Sequence, residues 1–338
     1  MSNGITNTEL MTYLGLPESI VTDIATGTSD TYQAAKNTFL TNLYNKIIYS
    51  TVETMDFENP FKKFDGYPVN YGDTVEALFV ETPSGKKFDP DNTNPFPKQK
   101  PSVLALYSTI NYDMQYKVTI EDAQLRKACL SEYGFMQLID YILASLSKSM
   151  TLDEYFATIH LLNNADIYAK GFESITKKAT DEETAKAVAK TIVDVSSNMT
   201  LPNKTNNKLG TMTVSRPNDI VLIIKNDLLN SINMDYLTGV YNLSKVDLVN
   251  NIIKVESFLI DEQYEDTTTH EIKTRKVGTD IDFIILDRKC FENHVALQDG
   301  GLIYNPEGKY TNHYMNLWKI LGFKTFRNAR AFQLKDSQ

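Results

Sequence analysis

Apolar or aromatic residues recur at every second position along residues 102–120, "SVLALYSTINYDMQYKVTI". Of the nine alternate positions from Leu104 to Ile120, eight are apolar or aromatic, and the intervening positions are polar from Thr109 onward. A period of two predicts a half-buried strand. At about 3.3 Å per residue this strand would extend on the order of 55 Å, whereas ordinary strands contain roughly 3–10 residues.

The segment before this strand excludes a helix. Seven of the eleven prolines lie between Pro60 and Pro101, and proline interrupts helices. A strand over roughly residues 69–80 fits the pattern, and a polar excursion of about twenty residues rich in proline and glycine follows it. We therefore predict one long hairpin with a large irregular tip.

The far end of this hairpin is apolar on both faces, because residues 77–80 and 103–107 are apolar in succession. A hairpin that reaches into water would be polar there. In one interpretation the hairpin lies within a sheet of its own domain. A strand of about 55 Å, however, exceeds the diameter of roughly 40 Å expected for a compact domain of this size. We favour an arrangement in which a neighbouring subunit covers the far end of the hairpin, while residues 112–120 pack on their own subunit. The predicted contact residues are Leu78, Phe79, Val103, Leu104, Leu106 and Tyr107.

Elsewhere, apolar residues recur at spacings of three and four, which predicts helices. They are an N-terminal helix from Ser29 or Asp30 onward, "EDAQLRKACL", a long helix over residues 131–166 with Thr151 as a candidate cap of a second segment, and "TDEETAKAVAKTIVDVSSNM". Short strands at 220–224, 252–258 and 281–286, with short helices at "KNDLLNSIN" and "MDYLTGVYN", indicate an α/β region. A polar hairpin at 261–280 and aromatic-rich C-terminal strands complete an α+β chain.

The formal net charge of −9 argues against a protein that reads DNA sequence, because phosphate binding needs clustered lysine and arginine. It leaves open a protein that encloses DNA without gripping it. The C-terminal region is nevertheless basic, through Lys319, Lys324, Arg327, Arg330 and Lys335. We consider two interpretations of Lys324, Arg327 and Arg330: ion pairing within or between subunits, or a weakly basic patch that faces packaged DNA.

The sequence predicts no catalytic, cofactor or metal site. It contains no G-x-G-x-x-G, Walker, H-E-x-x-H or C-x-x-C motif, and its four histidines are not clustered. Cys129 and Cys290 are expected to be free thiols, and the acidic residues at 261–266 to form a solvated loop. No apolar run of about 18 residues predicts a membrane helix, and the N-terminus is expected to carry no secretory signal.

Several stretches, in this order, resemble one known family. They are "NTFLTNLYNKI", "NPFKKFDGYPVNYGDTVEALF", "LDEYFATIHLLNNADIYAKG", "MTLP", "IVLIIKNDLLNSINMDYLTGVYNLSKVDLVNNIIKVESF" and "NPEGKYTNHYMNLWKILGFKTFRNARAF". The chain is similar in these stretches to the major capsid proteins of small short-tailed, phi29-like (Picovirinae) bacteriophages. The resemblance implies the HK97-like α+β fold. Its implied parts are an N-terminal arm (1–58), an extended loop (59–119), a peripheral domain with a spine helix (120–171), an axial domain (172–298) and return strands of the peripheral domain (299–338).

The resemblance also implies a function. The chain is expected to be a non-enzymatic head protein that forms hexamers and pentamers of an icosahedral virion shell around double-stranded DNA, with a scaffolding protein, a portal and the packaging motor as partners, no membrane and no cofactor. The immunoglobulin-like domain of the best-known relatives is not expected here. Subunit flexing is expected near residues 59–66 and in the arm. Two alternatives stay open: a cellular nanocompartment shell of the same fold, and a soluble α/β enzyme with an unrecognised site.

Overall fold

A three-stranded sheet, a five-stranded sheet and one long helix organise the chain. The computed structural model describes residues 11–12, 15–26, 31–39, 42, 57–83, 85, 100–130, 134–178, 180–232, 251–265 and 272–336. Side chains are described in these ranges outside 128–145, 181 and 262–273. The predicted helix at "MDYLTGVYN" and the predicted caps Ser29 and Asp30 lie outside the described residues.

Two helical segments near the N-terminus, α1 (Ser19–Thr26) and α2 (31–39), pack against the body of the chain. Their buried apolar residues form a core with Leu125 of the following short helix. Lys36 of α2 is fully buried; its Nζ donates to Asp122 Oδ1 at 2.8 Å and lies 3.4 Å from the centre of the Tyr304 ring. Burial lowers the pKa of Lys36, and the Asp122 carboxylate opposes that shift. Because a buried charge is tolerated only when it is paired, this contact anchors α2.

The long strand predicted over residues 102–120 is two strands. β1 (Val75–Val80) pairs antiparallel with β2 (Val103–Ser108), which confirms the predicted hairpin over these residues. β3 (Tyr112–Glu121) leaves the hairpin and pairs with a C-terminal strand. Between them the side chain of Asn111 donates to Leu321 O and accepts from Leu321 N, both at 2.8 Å. The prediction of one strand was wrong because the chain changes its pairing partner at residues 109–111.

The first layer is the three-stranded sheet with its helices. β10 (Phe291–Asn305) and β11 (Tyr310–Phe323) form an antiparallel pair, and β3 adds to the other edge of β11. α3 (Asp122–Leu130) and α4 (Gly134–Leu162) follow β3 and pack against this sheet. The 29 residues of α4 extend about 43 Å. The helix continues without a break through Thr151 and ends at Leu162, before the predicted end at residue 166.

The second layer is the five-stranded sheet. Its strands are β4 (Phe172–Thr176), β5 (Ile220–Lys225), β6 (Ile252–Val255), β9 (Phe283–Asp287) and β12 (Ala329–Lys335). They lie in the order β4, β12, β9, β5, β6. α5 (Asp181–Met199), capped by Thr180, and α6 (Asn226–Ser231) cover one face. The other face packs against α4 and β10. Burial on both faces explains the continuous apolar runs in β5 and β9.

A polar hairpin and the return of the chain between sheets complete the fold. β7 (Ile260–Glu265) and β8 (Ile272–Val277) pair antiparallel, as the pattern at 261–280 predicts. β12, although it lies within the predicted return segment 299–338, joins the five-stranded sheet, and β10 begins at Phe291, before that segment. Each sheet therefore draws on both the middle and the end of the chain, and the predicted domain boundaries stay a prediction.

Candidate subunit-contact surface

The β1–β2 hairpin has one face turned to its own chain and one turned to solvent. In the register of the pair, Ala77 lies opposite Leu106 and Phe79 opposite Leu104, and these four side chains are buried or half-buried. The alternate positions point the other way. Four of them are apolar or aromatic and well exposed: Leu78 (57%), Val80 (57%), Val103 (52%) and Tyr107 (67%). Exposed apolar side chains grouped on one face are typical of an interaction surface.

The inner face is held by contacts within the chain. The ring of Phe79 packs on that of Phe326 at a centroid distance of 5.3 Å. At the start of the hairpin, Ser108 Oγ donates to Glu292 Oε2 at 2.9 Å. Three of the predicted contact residues, Phe79, Leu104 and Leu106, therefore lie on the self-facing side. The other three, Leu78, Val103 and Tyr107, lie on the open side, where sequence reasoning missed Val80. Val75 and Ala77 are small apolar residues at inward positions of β1, so strict alternation from them places Val80 on the outward face with Leu78.

The base of the hairpin, residues 59–66, is tightly packed. Phe61 is buried, and Phe64 stacks on Phe291 at 4.7 Å. Gly66 N donates to Asn293 O at 2.7 Å, and a Cβ at Gly66 would lie 2.6 Å from His294 Cε1. These contacts hold the segment to its own chain, and subunit flexing near residues 59–66 stays a prediction.

A buried ionic cluster joins the hairpin base to the sheet and to α4. Lys319 of β11 is 3% exposed, and its Nζ lies 3.1 Å from Asp65 Oδ2 and 3.3 Å from Glu154 Oε1. Burial raises the pKa of Glu154, and Lys319 opposes that rise. The cluster therefore fixes the hairpin base to the sheet and to α4.

Two of the three predicted patch residues form ion pairs within the chain. Lys324 Nζ lies 3.4 Å from Glu292 Oε1, and the guanidinium of Arg330 makes a two-pronged pair with the Glu173 carboxylate. Arg327 is half-buried, and no ion pair joins it to another described residue. The geometry of Lys324 and Arg330 favours ion pairing over a DNA-facing patch.

The described residues contain no group of three or more His, Cys, Asp or Glu side chains placed to hold a metal ion. Cys290 is buried, and its burial raises the pKa of the thiol. The side chain of Cys129 and all of His270 lie outside the described residues, His160 is exposed, and His294 Nδ1 lies 2.7 Å from Tyr67 O. None of the helices that the structure describes is long and apolar enough to cross a membrane.

His313 is a buried histidine whose protonation should make the stability of the subunit depend on pH. It is 1% exposed, neither ring nitrogen has a hydrogen-bond partner among the described residues, and burial lowers its pKa to about 4. The unfolded chain, with a histidine pKa of about 6.5, binds this proton first as the pH falls. The contribution of His313 to the free energy of unfolding should therefore fall by about 2 kcal/mol between pH 7 and pH 5. Urea titrations at both pH values measure it. His313→Met should remove that difference, and an unchanged difference would contradict the assignment.

The two sheets, the long helix α4 and the β1–β2 hairpin define the fold of a tailed-phage capsid subunit, the HK97-like fold. The structure superposes on a chain of the capsid of Staphylococcus phage Andhra with a TM-score of 0.61, 12% identity, and 85% of this chain and 87% of that chain covered. A chain of the mature capsid of bacteriophage PhiM1 gives a TM-score of 0.56, 10% identity, and 86% and 91% coverage. At these identities the likeness shows the fold.

The sequence carries the assignment further. Residues 18–333 match the phi29-like phage major capsid protein family, and the chain belongs to that family. It is 26% identical over 311 residues to the major capsid protein of Bacillus phage B103, covering 90% of this chain and 65% of that protein. With the protein of Streptococcus phage Cp-1 it shares 27% over 323 residues, covering 90% and 85%. The chain spans about two thirds of the length of the Bacillus phage relatives or somewhat less.

Proposed function

We propose that this chain is the major capsid protein of a tailed bacteriophage, a structural subunit that assembles into an icosahedral shell enclosing double-stranded DNA. The observation that carries the proposal is the family match over residues 18–333. The outward apolar face of the hairpin supports it, because such a face is stabilised when another subunit covers it. The proposed place of action is the virion, after assembly in the host cytoplasm.

The shell requires contacts that repeat among many copies. In the proposed arrangement the five-stranded layers meet at the centres of hexamers and pentamers, and each hairpin lies over an adjacent subunit. Contacts between unlike surfaces of identical subunits close into rings when the rotation from one subunit to the next closes on itself. The proposed partners are a scaffolding protein during assembly, the portal, and DNA held without sequence recognition. The net charge of −9 supports enclosure without tight binding.

Co-expression with the scaffolding protein of the same phage tests the proposal. Size-exclusion chromatography and negative-stain microscopy should show closed shells. A stable monomer of about 38 kDa under all assembly conditions would contradict the proposal and favour a soluble enzyme. Shells that form without scaffold and retain an enzyme as cargo would favour the nanocompartment alternative.

A further inference from the structure

A cleft of about 350 Å³ lies where β2 ends and β3 begins, next to the turn that precedes β1. Its aromatic wall is Tyr71 packed on Trp318, with ring centroids 5.0 Å apart. Tyr71 sits in a turn closed by Asp73 N donating to Asn70 O at 3.1 Å, and Gly72 adopts a φ of 87° that favours glycine. Trp318 projects from β11, so a sheet strand and a tight turn fix the wall.

The rim of the cleft is acidic. Asp73 and Asp113 are both exposed and line the cleft, Asp73 from the turn and Asp113 from β3. Asp73 Oδ2 accepts from Asn70 N at 3.2 Å, and none of the described residues that line the cleft is basic. Aromatic faces attract cations, and carboxylates pair with ammonium or guanidinium groups. The chemistry therefore suits a lysine or arginine side chain from outside.

We propose that this cleft receives lysine side chains from the hairpin tip of a second copy of the chain. The inference rests on the proposed function. The residues that join β1 to β2 include Lys86, Lys87, Lys98 and Lys100 beside three acidic residues, so this segment is slightly positive in an acidic chain. In the sequence these lysines belong to the segment that joins Val80 to Val103, the paired strand ends farther from the cleft. A tip-to-base contact is thus between unlike surfaces and repeats from each copy to the next, as a ring of subunits requires.

Asp113→Lys is the primary test, because this carboxylate is exposed to solvent in the single subunit. We expect a fold like that of the wild type, and an about tenfold rise in the subunit concentration needed for shell assembly, about 1.4 kcal/mol per contact. The double change Lys86→Glu and Lys87→Glu should have a similar effect. Glu307→Lys makes the same change of charge in an exposed turn outside the cleft and should assemble like the wild type.

Charge exchange identifies the occupant. Combining Asp113→Lys with Lys86→Glu and Lys87→Glu in one chain should restore assembly. A mixture of the chain carrying only Asp113→Lys with the chain carrying only the two glutamates should also assemble, because a mutant tip then meets a mutant cleft on another copy. If the single chain is rescued and the mixture is not, the lysines bind the cleft of their own copy and the proposal fails.

Two other outcomes overturn it. If Asp113→Lys assembles at the wild-type concentration, the cleft receives no cation that matters to the shell. If Asp113→Lys is defective and neither the combined chain nor the mixture recovers, the occupant is a cation of another molecule. In both cases the wild-type chain still forms shells, so the proposed function stands. Failure of the wild-type chain itself to assemble would instead count against the proposed function.

Discussion

Replacing Lys319 with methionine is expected to lower the free energy of unfolding of the subunit by about 3–5 kcal/mol. The ammonium group is buried and pairs with the carboxylates of Asp65 and Glu154. Methionine fills a similar volume but leaves both carboxylates without their cation in a poorly solvated site. Breaking a buried pair from one side costs far more than breaking an exposed one, because the remaining charge stays desolvated. Urea denaturation of unassembled subunits, followed by circular dichroism, measures the loss.

Two controls separate the lost pairing from a general effect of removing a lysine. Lys186→Met removes a cation from an exposed helix pair with Glu182 and should leave the urea midpoint unchanged. Adding Glu154→Gln to Lys319→Met removes one unpaired carboxylate and should recover part of the lost stability. If Lys319→Met unfolds at the wild-type urea concentration, the cluster does not hold the hairpin base, and the packing of Phe61 and Phe64 must do so alone.

The order of the elements could be predicted from the sequence because most of them are specified by the residues within them and next to them. α3, α5, α6, the β7–β8 hairpin and the buried strands β5 and β9 lie where the patterns put them. These elements depend on local periodicity and capping, such as Thr180 accepting from Glu183 N at 3.2 Å. The sequence-based fold class, α+β and HK97-like, is likewise confirmed.

The break in the long strand could not be predicted from periodicity. Even-numbered residues face inward in both strands: Leu104 and Leu106 in β2, and Tyr112 and Tyr116 in β3. Because the phase of two is the same on both sides of residues 109–111, the pattern reads as continuous. Periodicity records which side of a strand is covered and carries no information on which strand pairs with it.

The ionic cluster was also invisible in the sequence. A lysine is ordinarily a surface residue, and the two carboxylates that hold Lys319 come from the hairpin base and from α4, one of them 254 positions away. The same holds for the contact surface. Composition marked the far end of the hairpin as apolar on both faces, but only the packing of Phe79 on Phe326 shows which face the chain covers itself.

Leu78→Asp is expected to prevent shell assembly while leaving the subunit folded. Leu78 is more than half exposed on the outward face, so an aspartate there costs the free subunit little. Against a neighbouring subunit it would replace the burial of a leucine, about 1.5–3 kcal/mol, with a desolvated charge. The subunit concentration needed for assembly should rise by about a hundredfold or more. Sedimentation of shells formed with scaffolding protein measures the effect, and thermal unfolding checks the fold.

Position and chemistry supply the matched variants. Leu78→Met keeps the position apolar and should assemble normally. Leu106→Asp puts the same charge on the inward face, opposite buried Ala77, and should lower the stability of the subunit itself. The two aspartate variants therefore fail for different reasons, one in assembly with an intact fold and one in folding. If Leu78→Asp assembles at the wild-type concentration, the outward face of the hairpin is not covered in the shell, and subunit contacts must be sought elsewhere on the chain.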